Sequence, residues 1–416
     1  MANCYAQGVT RAEFQPIMLG TGLGTYSLAR LLHSAFEVHS IALGRAPLKE
    51  TAHSRIVDVE IPADFDNESV IIDSLMTMTQ RFPGQKLLLL PMIEFYTNVV
   101  LANYELLSER FLIPLPDRAV ADRLLSKTSF YELCAQLGVA HPVSYSFSES
   151  DLDEPDLGAD WALRYPVILK PSNTDLYPRV HFAGKKKVYL LDNLVQVREV
   201  SRQIFAAGYD DALIAQEYLA GDESVMSVVN VYSDRNAEVK FCSVGQVVLS
   251  EYNPQLVGNN NAIVAVRGRE QLVESVKTVL NGVGYRGLAN IDAMWDPRTG
   301  EYKLLEANLR PGATSFYTRA GGENLARFLV NDLVFHKDIP EIVNVTDDLW
   351  LNLPYFAARH YVPASTRDLL TGKRATAWHT LKYPPDMSWR RRIDVWRLEF
   401  DRIVDYHRYS KNRLNV

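Results

Sequence analysis

The chain has 416 residues, 47% hydrophobic and 23% charged, a composition that suits a folded protein of two or three domains. Its formal net charge of −6 argues against a nucleic-acid-binding surface. No apolar run is long enough to span a bilayer, the N-terminus lacks a signal-peptide layout, and the three scattered cysteines (Cys4, Cys134, Cys242) form no metal-ligand pattern, so a cytoplasmic protein that is not membrane-embedded is the expectation.

From the start, Pro16 to Gly24 reads PIMLGTGLG: a short apolar strand running into glycines, with helical Tyr26–Leu32 behind it. Val38–Leu43 and Lys86–Pro91 are further strands, with a helix over 70–81 before the second. Strands alternating with helices predict a small parallel sheet. Gly20, Gly22 and Gly24 do not complete a dinucleotide fingerprint, because Thr25 stands where the third glycine belongs. Two uses remain for them: a tight strand-to-helix turn, or a helix N-terminus offered to an anionic substrate group.

Pro114–Asp117 is a candidate boundary. Ser126 is a candidate N-cap for a helix that places Phe130, Leu133, Cys134 and Leu137 on one side and Lys127 in its first turn, and Gly138 and Pro142 stop it. Tyr165–Pro171 is a run of β-formers closed by Lys170. A lysine there is costly to bury without a partner, and a phosphate suits its point charge. Ser172–Tyr189 carries Arg179, His181 and the run Lys185-Lys186-Lys187, which reads as a solvated face or as charge set against a triphosphate. Leu213–Leu219 is a strand that leads into Ala220–Ser224. Antiparallel strands follow over 225–231 and 239–244. Gly258–Ala262 reads as a loop, and a helix spans 270–280.

Asn290–Arg310 reads as two strands joined by the turn Asp296–Gly300. Period-two alternation puts Asp292 and Glu306 opposite each other at the sheet end, with Asn308 farther along the same face. Three oxygen-bearing side chains converging on one spot suit a hard divalent cation such as Mg²⁺. Beyond, Pro311–Ser315 and Arg319–Asn324 look like a glycine-bearing turn and a helix start able to hold a carboxylate, with helix over 324–336. Residues 386–416 mix tryptophan and tyrosine with eight basic and five acidic residues. From Lys337 onwards the chain reads as a small α/β cap, or alternatively as a surface for a large anionic acceptor.

The acid at Asp292 and the later Glu306-x-Asn308-x-Arg310 resemble the metal-and-phosphate hairpin of the ATP-grasp ligases. Lys127 in SKTSFYELCAQLGVAHP, Lys170 in YPVILKP, and QEYLAGDE over 216–223 resemble further family motifs in the same order. The resemblance covers roughly residues 15–335. It implies an ATP-grasp fold, α/β and α+β: a Rossmann-like parallel-sheet domain over 1–115, the ATP-grasp domain over 116–335, and a C-terminal α/β extension over 336–416. It implies ATP and Mg²⁺ as cofactors, with the metal on Asp292, Glu306 and Asn308. It implies Lys127, Lys170 and Lys186 on phosphate, Glu217, Tyr218 and Leu219 on adenine, Glu223 on ribose, and Lys170 and Arg310 as catalytic. IMLGTGLGTYSLAR, SIALGRAPL, ILKPSN with VHFAGKKK, and HRYSKNR resemble the bacterial D-aspartate ligases of peptidoglycan cross-bridge synthesis. This implies D-aspartate as the small amino-acid substrate and, as amine acceptor, the lysine of a UDP-linked muramyl pentapeptide. Another ATP-grasp amide ligase, or a nucleotide-binding regulator on the same fold, remains as an alternative, and an oligomer is compatible with either.

Overall fold

The computed structural model describes residues 13–159, 161–173, 176–254, 256 and 258–410. Cys4, two positions of the 172–189 stretch (Thr174 and Asp175) and the tail beyond residue 410 lie outside them. The N-terminal sheet has five parallel strands: β1 (Phe14–Leu19), β2 (Ser40–Leu43), β3 (Val57–Glu60), β4 (Lys86–Pro91) and β5 (Phe111–Leu112), in the order β3-β2-β1-β4-β5. β1 and β4 are apolar almost throughout because both faces are covered. Ile17, Leu19, Leu87 and Leu89 share a core with α2 (Glu68–Arg81) and α3 (Glu94–Ala102), whereas Met18, Leu88 and Leu90 pack with α1 (Leu23–Phe36). A short α4 (Tyr104–Ser108) closes this part.

Two helices, α5 (Arg118–Leu125) and α6 (Lys127–Gln136), lead into an antiparallel sheet of β6 (Ser144–Phe147), β7 (Val167–Pro171), β8 (Tyr189–Leu191) and β9 (Leu213–Glu217), ordered β6-β9-β7-β8. With α7 (Leu194–Ala206) it has its own core of Phe147, Val167, Leu169, Ile204 and Leu213. The larger sheet holds β10 (Met226–Ser233), β11 (Val239–Ser250), β12 (Asn260–Ala265), β13 (Gly287–Asp296) and β14 (Glu301–Asn308), and α8 (Glu270–Val283) buries Leu272, Val276 and Leu280. The extension contributes β15 (Ile342–Val343), β16 (Leu349–Leu351) and β17 (Trp378–His379) to this same sheet, whose order is β14-β13-β10-β11-β12-β16-β17 with β15 against β11.

Two local expectations change. Only Gly258 of the expected loop Gly258–Ala262 keeps a left-handed backbone, at φ 101°. A strand begins at Asn260, because the buried Asn261 amide is satisfied inside the sheet by Glu251 Oε2 at 2.8 Å and the Tyr406 hydroxyl at 3.0 Å. The expected helix over 324–336 divides into a short α9 (Leu325–Leu329) and a wider π-type turn over Val330–Val334. There Asp332 accepts from the Tyr232 hydroxyl at 2.8 Å and the Arg235 N–H at 2.9 Å, which draws the chain out of regular helix.

Several contacts join the parts, among them those made by Pro114 and by Arg391. The Leu288 N–H donates to Pro114 O at 3.2 Å, and Gly287 beside it has φ 101°; a Cβ there would lie 2.0 Å from Pro114 O. After α10 (Tyr355–Tyr361), the last helix α11 (Trp389–Tyr409) returns to the N-terminal domain. The buried Arg391 guanidinium stacks 4.1 Å above the Tyr26 ring, lies 3.3 Å from the buried Asp386, and donates to Glu50 O at 2.7 Å and Ala52 O at 2.9 Å.

Candidate active site

The antiparallel register sets Asn290 opposite Asn308 and Asp292 opposite Glu306, with a bulge immediately after Asp292. The expected alternation is therefore what brings the two acids together. Asn290 Nδ2 donates to Asp292 Oδ1 at 3.4 Å and Asn308 Nδ2 to Glu306 Oε1 at 3.5 Å. Arg310 Nη2 reaches Asn308 Oδ1 at 3.3 Å. Ser126 caps α6 as expected, its side chain accepting from Ser129 N, and this fixes Lys127 so that Nζ meets Glu306 Oε2 at 2.9 Å. Lys170, from β7, donates to Gln216 Oε1 and sits 6.0 Å from the Tyr131 ring centre.

The hairpin side chains and Lys127 border a cavity of about 350 Å³, and Lys170 stands outside its lining. Lys127, Asp292, Glu306, Asn308 and Arg310 line it, together with Lys187, Asn259, Asn260, Glu94, Thr97 and the turn Gly312–Thr314. That turn is held from below: Gly312 N donates to Asn230 Oδ1 at 3.1 Å, and a Cβ on Gly312 would come within 2.7 Å of Asn290 Oδ1. The N-terminal domain closes the other side, where Ser27 Oγ donates to Ala313 O at 3.1 Å.

Burial and the facing Glu306 carboxylate raise the Asp292 pKa well above the usual range for an acid. Burial also acts on Glu306 in the same sense, but the Lys127 ammonium outweighs it and Glu306 is shifted down. Asp292 is thus the acid inclined to keep a proton, which a divalent cation bound there would displace. Among the described residues no three His, Cys, Asp or Glu side chains form a self-sufficient metal cage. Two carboxylates and an amide oxygen fit Mg²⁺, which keeps waters and takes phosphate oxygens. Burial, then the neighbouring Lys127 charge, lowers the Lys170 pKa to about 7.

Of the remaining sequence candidates, Glu217, Tyr218, Leu219 and Glu223 stand outside the lining of this cavity. The Glu217 N–H already donates to Val143 O at 2.8 Å. Its carboxylate takes Arg298 Nη2 at 2.7 Å and Lys303 Nζ at 2.6 Å, and both cations also hold Asp296. Glu223 is buried and accepts from the Tyr252 hydroxyl at 3.2 Å. Lys185 donates to the carbonyls of Tyr177 and Val180, at 2.8 and 2.6 Å, so it builds its own loop. Lys186 is exposed, and Lys187 is the lysine of the run that lines the cavity. Arg319 packs 5.1 Å from the Trp378 ring centre instead of facing the cavity.

Sequence reading missed Glu94 and Thr97. Their signal was position: they follow the carboxyl end of β4, where open parallel sheets place ligand-binding groups. It also missed the Glu217–Arg298–Lys303–Asp296 cluster, in which Glu217 is distant in the chain from the other three.

A helix lysine paired with the facing acids of one antiparallel hairpin in a single cavity, behind a Rossmann-like domain, marks an ATP-grasp carboxylate–amine ligase. The chain is 33% identical over 354 residues to the D-aspartate ligase of Enterococcus faecium (strain Aus0004), covering 83% of this chain and 84% of that one. It belongs to the D-aspartate ligase family. A shorter match, 30% identical over 37% of this chain and 48% of the other, is to the D-alanine–D-alanine ligase of Haemophilus influenzae (strain PittEE). Solved structures share the fold: an L-amino acid ligase from Bacillus licheniformis (TM-score 0.54, 16% identity, covering 78% of this chain and 75% of that one) and the ADP-bound N5-carboxyaminoimidazole synthetase from Staphylococcus aureus (TM-score 0.58, 15% identity, 83% and 84%). No family model matches the chain. Among the described residues no helix is long and apolar enough to cross a membrane.

Proposed function

We propose that the chain uses ATP to activate the β-carboxylate of D-aspartate and joins it to the lysine side-chain amine of a UDP-linked muramyl pentapeptide. The opposed Asp292 and Glu306 carboxylates, flanked by Lys127 and Arg310 in one cavity, carry the ligase part of this reading. Kinship with a D-aspartate ligase supports the choice of substrate. Asp292, Glu306 and Asn308 hold Mg²⁺. The metal, when bound, offsets phosphate charge during transfer. Lys127 and Lys170 meet phosphate oxygens, with Lys186 or its neighbour Lys187 approaching from the 172–189 loop. Backbone groups of Glu217–Leu219 receive the adenine edge, and Glu223 receives the ribose hydroxyls.

Arg310 stabilises the charge that builds as a substrate carboxylate oxygen attacks the γ-phosphorus. The bond from that phosphorus to ADP breaks, leaving an acyl phosphate. The acceptor amine then attacks the acyl carbon, inorganic phosphate leaves, and the nitrogen gives up a proton. Glu94 and the Gly312–Thr314 turn lie where the amino acid would sit.

A coupled ADP-release assay tests this with D-aspartate, L-aspartate, D-alanine and other amino acids, with and without the UDP-linked pentapeptide. ADP release that needs D-aspartate and is completed by the peptide is expected. Release with D-alanine alone would reassign the substrate towards the second group of relatives. No release with any pair would leave a nucleotide-binding regulator.

A further inference from the structure

The catalytic cavity leaves α11 unexplained. Its inner face is committed: Arg391, Asp394, Val395 and Tyr406 are buried against the body of the protein. Its outer face is not. Trp389, Ile393, Trp396, Phe400 and Val404 recur at spacings of three and four, so they lie on one side of the helix. They are 68%, 40%, 63%, 52% and 36% exposed. The Trp396 and Phe400 rings stack on each other 5.7 Å apart, facing solvent. Isolated exposed apolar residues need no explanation, but a continuous stripe of five along one helix does.

The charge around the stripe indicates what covers it. Arg390, Arg392, Arg397 and Arg408 are all exposed, and none forms an ion pair among the described residues. The acids of the same helix are already engaged: Asp394 with His53 at 2.6 Å, Glu399 with Lys382 at 2.7 Å, Asp401 with Lys49 at 2.7 Å, and Asp405 with Asn253 at 3.0 Å. A chain of net charge −6 therefore presents tryptophan and phenylalanine rimmed by four unpaired arginines. A second copy docked on this face would set like charges against like. An anionic lipid surface would accept both features at once, with aromatic rings at headgroup depth and guanidinium groups on phosphate.

We infer that the outer face of α11 docks on an anionic bilayer surface, lying in the interface plane without crossing it. The inference is independent of the substrate assignment, since these side chains stand apart from the cavity.

The full chain, co-sedimented with phosphatidylcholine vesicles with or without phosphatidylglycerol, tests it. Binding to the anionic vesicles at low salt, weakened at high salt and accompanied by a blue shift of tryptophan emission, is expected. Changing Trp396→Ser together with Phe400→Ser should cut that binding more than about tenfold, and Arg390→Gln or Arg397→Gln about fivefold each. Both sets should leave ADP release and the thermal midpoint unchanged, which shows that they fold. Absence of anionic-vesicle binding at low salt, or equal binding to neutral vesicles, would overturn the inference. So would a solution dimer dissolved by the Trp396/Phe400 variant, which would assign the face to a second copy.

Discussion

Asp292 and Glu306 carry opposite protonation tendencies although they face each other, because only Glu306 has a lysine at 2.9 Å. Glu306→Gln removes the charge that Lys127 meets and that the proposed metal would use, and turnover should be abolished with the melting temperature nearly unchanged; retained ADP release would refute the metal assignment. Asp292 must lose its proton to become a ligand. Mg²⁺ should therefore bind more tightly as pH rises towards about 8, with proton release measurable by calorimetry in buffers of different ionisation enthalpy. Lys170 gives a slope of the opposite origin. Its folded pKa is about 7 against an ordinary 10.5, so between those values the unfolded chain holds a proton that the folded chain does not. The ligand-free protein should gain stability as pH rises through that window, and Lys170→Met should flatten the gain in urea-midpoint measurements across pH. Period two made Asp292, Glu306 and Asn308 legible in the sequence, since strands display alternate side chains together. Lys127 and Lys170 needed the family motif, because neither helix nor strand periodicity says where a lysine tip ends. The motif pointed to Lys186, whereas Lys187 is the lysine of that run lining the cavity, a choice that only the loop's path settles.

At the level of elements, the turn of the β13–β14 hairpin is tied to the end of β9. Arg298 and Lys303 both hold Glu217 and Asp296, and Lys303 and Asp296 are almost wholly buried. Glu217→Ala would remove one anion from this group and leave two cations sharing Asp296. Because Arg298 is half-exposed, the cost should be about 2 kcal/mol, below the 3–5 expected for breaking a wholly buried pair, and urea unfolding would measure it. On the adenine role proposed for Glu217–Leu219, KM for ATP should rise more than kcat falls, with the hairpin acids spared. The strands involved were readable one at a time from alternation and turn residues. Their alliance was not, because pairing a residue near 217 with others near 300 depends on how two sheets meet.

Across the whole molecule, residues 336–416 bind the parts together. β16 and β17 lengthen the large sheet, while α11 anchors on the N-terminal domain through Arg391, Tyr26 and Asp386. Ending the chain before α11 would strip the guanidinium from a buried carboxylate that still faces Tyr26 at 2.6 Å, and the shortened protein should aggregate on expression, as light scattering would show. The alternating N-terminal domain was legible because parallel strands announce themselves as apolar runs. The extension was not, since two- and three-residue strands carry too little pattern. The meeting of Pro114 and Gly287 sets a rule for anyone recombining relatives to alter what this ligase accepts. The crossover must inherit both partners from one parent, because a donor with any side chain at 287 would push the strand that carries Asp292 away from the domain it was grafted to serve.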